Sequence, residues 1–102
     1  MDRNKLLSLF DGDVDLVDKF ILNFRSESSR LIALMMGYLS EDNMTLFANC
    51  AHMLKAQAAY AGLDELSALA EQLDYQARTG EPVKHITTTF QALTAGLESI
   101  IE

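Results

Sequence analysis

Two side chains in the run Asn49-Cys50-Ala51-His52-Met53-Leu54-Lys55-Ala56 are placed to do chemistry together. With about 100° per residue in a helix and His52 taken as zero, Phe47, Cys50, Leu54, Ala58 and Ala61 gather near the opposite pole. That is the buried stripe of an amphipathic helix, and it directs His52 away from the core. An exposed imidazole is mostly neutral at pH 7, so one ring nitrogen keeps a lone pair that can act as a nucleophile. Lys55 follows at i+3 on the same face, where its ammonium can neutralise an anion gathered at the ring. Thr45, Ala48, Ala56 and Ala59 surround His52. Small side chains leave room for a partner to approach, whereas a merely solvated face would carry Glu, Lys and Gln.

The elements that must hold this face can be read from the punctuation. A short helix from about Arg3 to Phe10 ends at Asp11-Gly12, and Asp13 is a plausible N-cap for the next, with Asp15 and Asp18 near its positive end. This second helix carries Leu16, Phe20, Leu22, Phe24, Leu31, Leu34, Met35 and Tyr38 and runs to about Leu39. Ser40-Glu41-Asp42 breaks it and offers a cap for a third helix, Asn43 to Ala61, which bears His52 and stops at Gly62. Leu63 and Asp64 read as staple and N-cap of a fourth helix to about Arg78, with Leu66, Leu69, Ala70, Leu73 and Ala77 apolar. Thr79-Gly80-Glu81-Pro82 is a stop followed by a start, with Pro82 expected in the first turn of the last helix. That helix presents Ile86, Phe90, Leu93, Leu97, Ile100 and Ile101. Four long amphipathic helices with short connections bury their stripes by packing on one another. The expected fold is all-α, an antiparallel four-helix bundle with a short extra N-terminal helix, formed by residues 1–102 as a single domain.

Composition narrows the classes of function. The chain of 102 residues is 49% hydrophobic with one Pro and five Gly, as expected of an ordered helical domain. The single Cys50 has no internal partner and lies on the buried stripe, which points to a reducing compartment. No stretch approaches the ~20 apolar residues of a bilayer span, and the N-terminus lacks the apolar core of a signal peptide. The expected location is cytoplasmic, with no membrane partner, and Met1 and the compact ends favour a free-standing protein. A net charge of −7 with eight scattered basic residues makes nucleic acid a poor partner.

His52-x-x-Lys55, the small residues Ala56 and Ala58, Gly62 ten positions after the histidine, and then Leu66 and Leu73-Asp74 together resemble the signature of histidine-containing phosphotransfer (HPt) domains. The resemblance covers the whole chain, with its core at residues 51–74. It implies that His52 accepts a phosphoryl group from the phospho-aspartate of a receiver domain and passes it to another receiver. It also implies that Lys55 stabilises charge on the phosphate, that Asp74 orients the imidazole, and that Ala48, Ala56 and Ala59 form the docking face. At Asp74 the family often has Gln or Glu. The expected partners are response-regulator receiver domains or a hybrid histidine kinase, and the chain is expected to act as a monomer. Magnesium and the remaining catalytic groups belong to the partner, so no cofactor, metal or autonomous catalysis is expected here. Three positions depart from the commonest pattern: Ala56 stands for the usual Gly, Gln57 for Ser and Ala70 for a frequent Cys. Ala is favoured over Gly in a helix by about 1 kcal/mol, and one methyl on the docking face should tune the choice of partner.

An enzyme would need a nucleophile–base pair or metal ligands converging in a pocket. Two His and no Glu-x-x-His pair give no di-metal bundle, and a haem ligand at His52 would have to point inward. The serious rival is a helical interaction module that binds a receiver or another signalling partner without carrying phosphate. His85 is assigned no chemistry, Tyr60 and Tyr75 are read as rim packing, and the methionines as core and rim filler.

Overall fold

The computed structural model describes residues 3–101 as five α-helices with no strand among them: α1 (Arg3–Leu9), α2 (Val14–Ser40), α3 (Met44–Tyr60), α4 (Asp64–Thr79) and α5 (Val83–Ile101). The side chain of Ile101, expected on the apolar face of α5, lies outside the described residues. The helices pack into an elongated body of 44 × 20 × 19 Å. The α3/α4 pair makes the most extensive interface, α2 packs on α3 and α5 on α4, and a lighter contact between α2 and α5 closes the assembly.

The caps explain the boundaries. Asp13 is extended and its carboxylate accepts from the Leu16 amide at 3.1 Å, as expected of the α2 N-cap. At α3 the cap is Asn43, which accepts from Leu46 at 3.2 Å, rather than the preceding Ser40-Glu41-Asp42. Asp42 adopts a left-handed φ of 57°, which turns the chain and leaves the amide-bearing Asn43 to meet the free N–H groups. The N-cap of α4 is likewise Leu63, with no side-chain hydrogen bond, and Asp64 falls inside the first turn, where its charge meets the helix dipole. Pro82 stands just before α5, and its carbonyl accepts from His85 at 2.9 Å and Ile86 at 3.3 Å. Gly62 and Gly80 take left-handed φ of 77° and 72°, the conformations that stop α3 and α4.

One continuous core runs through α2 to α5, with Leu31, Phe47, Leu54, Leu73 and Leu93 fully buried. The Phe47 and Phe90 rings meet edge to face at 5.5 Å. On α2 the buried positions are Val17, Phe24, Ser28, Leu31 and Met35, a seven-four-three-four spacing. Leu16 and Leu22, expected on the apolar face, are instead 45% and 69% exposed. Leu22 stands about 200° from Phe24 on the helix, so the register that buries Phe24 turns it out. On α1, Leu6 is fully buried. An Arg3–Asp18 ion pair at 2.8 Å ties α1 to α2, and the Phe10 ring lies tilted against Phe20 with centroids 5.7 Å apart. Among the described residues no helix is long and apolar enough to cross a membrane.

Candidate functional site

Opposite-facing polar stripes on α3 and α4 meet at the surface in three rungs. Asn49 faces Arg78, His52 faces Asp74, and Lys55 faces Glu71. As the residue number rises along α3 it falls along α4, so these two helices run in opposite directions over the site. On α4 the stripe is Ser67, Glu71, Asp74 and Arg78, a four-three-four spacing that keeps one face of a 3.6-residue helix. Ser67 adds a tie to the backbone, its hydroxyl donating to the Lys55 carbonyl at 3.1 Å.

His52 occupies the middle rung with its side chain 65% exposed, and its Nδ1 lies 3.5 Å from Asp74 Oδ2. The carboxylate is only 19% exposed, so it forms a partly desolvated wall behind the ring. Its other oxygen, Oδ1, accepts from Arg78 Nε at 2.5 Å, and Arg78 Nη2 donates to Asn49 Oδ1 at 2.9 Å. With Nδ1 turned to Asp74, the imidazole presents Nε2 on its far side. Lys55 shares the face, but its ammonium is held 3.3 Å from Glu71 Oε1 on α4. Any anion arriving at His52 therefore competes with Glu71 for Lys55.

Ala56 and Ala59 are exposed beside His52, as expected of a docking face. Ala48 is not part of that face, because it is fully buried in the core. On the helix it lies about 40° from His52, on the side toward α4, and Arg78 reaches across that turn to the neighbouring Asn49. A methyl group is too short to emerge there, whereas the long Lys55 side chain on the same flank extends past the contact to stay half-exposed. Ala51 is also fully buried, extending the packed side of α3 beyond the expected stripe.

Next to Ala56, a cleft of about 270 Å³ opens between α2 and α3, lined by Phe20, Phe24, Glu27, Ala56, Gln57 and Tyr60. Tyr60 is 55% exposed and leans on Phe20 with ring centroids 5.3 Å apart, so it is rim packing at the edge of this cleft. Met53, adjacent to His52, is 43% exposed. One surface thus carries an exposed imidazole, a lysine ammonium paired with Glu71 and a flanking cleft. Among the described residues, no group of three or more His, Cys, Asp and Glu stands where it could hold a metal ion. His85 lies away from the rungs and faces Glu81 at 3.7 Å.

Arg78, Asn49 and Glu71 were not anticipated as site residues. The Asp74 to Arg78 spacing of i+4 was legible as a helical ion pair, but its extension to Asn49 depends on how α3 and α4 are staggered. Compared with protein-family models, with curated proteins and with solved structures, the chain matches none.

Proposed function

We propose that this chain is a histidine phosphotransfer domain of a multistep His–Asp relay, in which α2 to α5 form an antiparallel four-helix bundle with α1 across it. The observation that carries this reading is an imidazole 65% exposed on a packed helix, with Nδ1 backed by a carboxylate at 3.5 Å. A carboxylate behind Nδ1 favours the tautomer that carries its proton there and leaves the Nε2 lone pair outward. In the forward step Nε2 attacks the phosphorus of a receiver's aspartyl phosphate. The P–O bond breaks with its electron pair returning to the aspartate, and the phospho-ring keeps its proton on Nδ1 beside Asp74. In the return step a second receiver's aspartate attacks phosphorus, and the P–N electron pair goes back to Nε2. Phosphoryl transfer needs positioning and charge neutralisation above all. This chain contributes the acceptor ring and the Lys55 charge, worth about 1 kcal/mol at a screened site, and the receiver contributes magnesium and its own catalytic groups. Ala56, Ala59 and the adjoining cleft form the surface on which a receiver docks, and the domain acts as a cytoplasmic monomer.

The alternative is a helical interaction module that binds the same kind of partner without accepting phosphate. Incubation with magnesium-loaded, radiolabelled phospho-receiver domains separates the two. Transfer predicts acid-labile, alkali-stable label on the wild type and none on His52→Gln, with the same melting midpoint for both. Receiver binding without label on the wild type would establish the interaction module instead.

A further inference from the structure

We infer that Arg78 is a positioning residue for the phosphoacceptor, fixing through Asp74 which imidazole nitrogen is free to react. The inference rests on the phosphotransfer reading above and adds a residue that the spacing around His52 did not reveal. Its basis is the division of one carboxylate between two partners. Asp74 Oδ2 faces His52 Nδ1 at 3.5 Å, and Oδ1 accepts from Arg78 Nε at 2.5 Å. A carboxylate with one oxygen unrestrained can rotate and offer the ring either oxygen or none. Arg78 stops that rotation, and it is itself anchored, because Nη2 donates to Asn49 Oδ1 at 2.9 Å on the neighbouring helix. The planar guanidinium makes the two bonds from two nitrogens in one rigid fork, a geometry that a flexible ammonium with all its donors on one atom does not reproduce.

An ordinary surface pair at i+4 would touch only its own helix. Here the guanidinium ties α4 to α3 one rung below the acceptor, and the carboxylate it holds is only 19% exposed. The charged groups at the three rungs are Asp74, Arg78 and Glu71 from α4 and Lys55 from α3. Of these, Asp74 and Arg78 form the chain that ends at the ring. Their combined effect is to hold the Nδ1–H tautomer, keep Nε2 as the nucleophile, and steady the cationic phospho-ring formed when Nε2 attacks.

The test uses the whole chain with Arg78→Met and Arg78→Lys, and Asp74→Asn as reference. Imidazole nitrogen–proton NMR spectra report the His52 tautomer directly, without any phosphoryl donor. Phosphoramidate then supplies phosphate without a receiver: Nε2 attacks phosphorus, and the donor's P–N bond breaks with its electron pair leaving on ammonia. We expect the wild type to show the Nδ1–H tautomer and to be phosphorylated at Nε2. Arg78→Met should keep the fold, shift the tautomer toward Nε2–H, and slow phosphorylation by roughly tenfold, the scale on which loss of the partner that orients a metal-bound histidine is felt. Arg78→Lys should recover part of both effects, since its ammonium keeps the charge beside Asp74 but lacks the rigid fork that also fixes Asn49. An unchanged tautomer and rate in both folded variants would overturn the role of Arg78. A tautomer shift in a protein that accepts phosphate from neither phosphoramidate nor any receiver would uphold the positioning role and sink the phosphotransfer reading.

Discussion

Under the phosphotransfer proposal, Lys55 and Glu71 set a competition at the surface around His52. The ammonium is 3.3 Å from a carboxylate that is itself 66% exposed, so the pair is screened and easily exchanged. Glu71→Gln should free Lys55 and remove a negative charge near the incoming phosphate, lengthening the lifetime of phosphohistidine by roughly threefold. Lys55→Ala should shorten it by a similar factor without abolishing transfer, and decay of label after removal of the receiver measures both. A second residue-scale consequence concerns Cys50, which is 4% exposed. Burial pushes its thiol up from the ordinary value, with the nearby Arg30 opposing part of the effect. Above the ordinary thiol pKa of about 8.5 the unfolded chain loses this proton first, so the native state binds more protons and stability falls as pH rises. Below that pH the contribution is fully present. Urea midpoints at pH 7 and pH 9.5 should therefore fall more steeply for the wild type than for Cys50→Ala.

At the scale of the helix, two glycines inside elements have opposite prospects. Gly37 lies within α2 and an added Cβ would meet nothing within 4 Å, so Gly37→Ala should stabilise by about 0.5–1 kcal/mol. Gly96 lies where α5 crosses α4, and an added Cβ would fall 2.5 Å from Leu66 Cδ2. Gly96→Ala must displace that buried leucine and should fall short of the Gly37→Ala gain, a difference that thermal denaturation of both variants reads directly. On α3, Leu54→Asp would place a charge at a fully buried position and should abolish the cooperative unfolding transition. The periodicity of α3 made Leu54, Cys50, Phe47 and Ala58 legible as core, because one helix determines its own faces. Ala48 is not legible in the same way: the wheel places it beside His52, and its full burial comes from packing that one helix does not contain.

Across the whole molecule, stability follows the unequal interfaces. Helices α3 and α4 share the largest contact and both carry the candidate site, whereas α1 makes a light contact with α2, where Leu6 and the Arg3–Asp18 pair tie it down and Phe10 follows in the turn. Local opening should therefore cost least at α1 and most at the α3/α4 pair. Amide hydrogen exchange should be fastest in residues 3–9 and slowest around Leu54 and Leu73. Equal protection of α1 and α3 would contradict this order. The rungs at Asn49, His52 and Lys55 thus sit on the most extensively packed pair, which under the phosphotransfer proposal would hold the ring at a fixed angle to its partner.

The amino-acid sequence by itself determined the local features: five helices, the Asp13 cap, the left-handed stop at Gly62, and a face of α3 that carries His52 opposite Leu54. Each follows from dihedral preference, capping and periodicity within one stretch of chain. Leu16 and Leu22 show where that reasoning ends, since a 27-residue helix with many apolar side chains must choose one stripe to bury, and its neighbours make the choice. The Asp74–Arg78–Asn49 chain, the capture of Lys55 by Glu71 and the burial of Ala48 were decided by tertiary structure. All three depend on the stagger and rotation of α3 against α4, which close packing of both helices sets and neither contains alone.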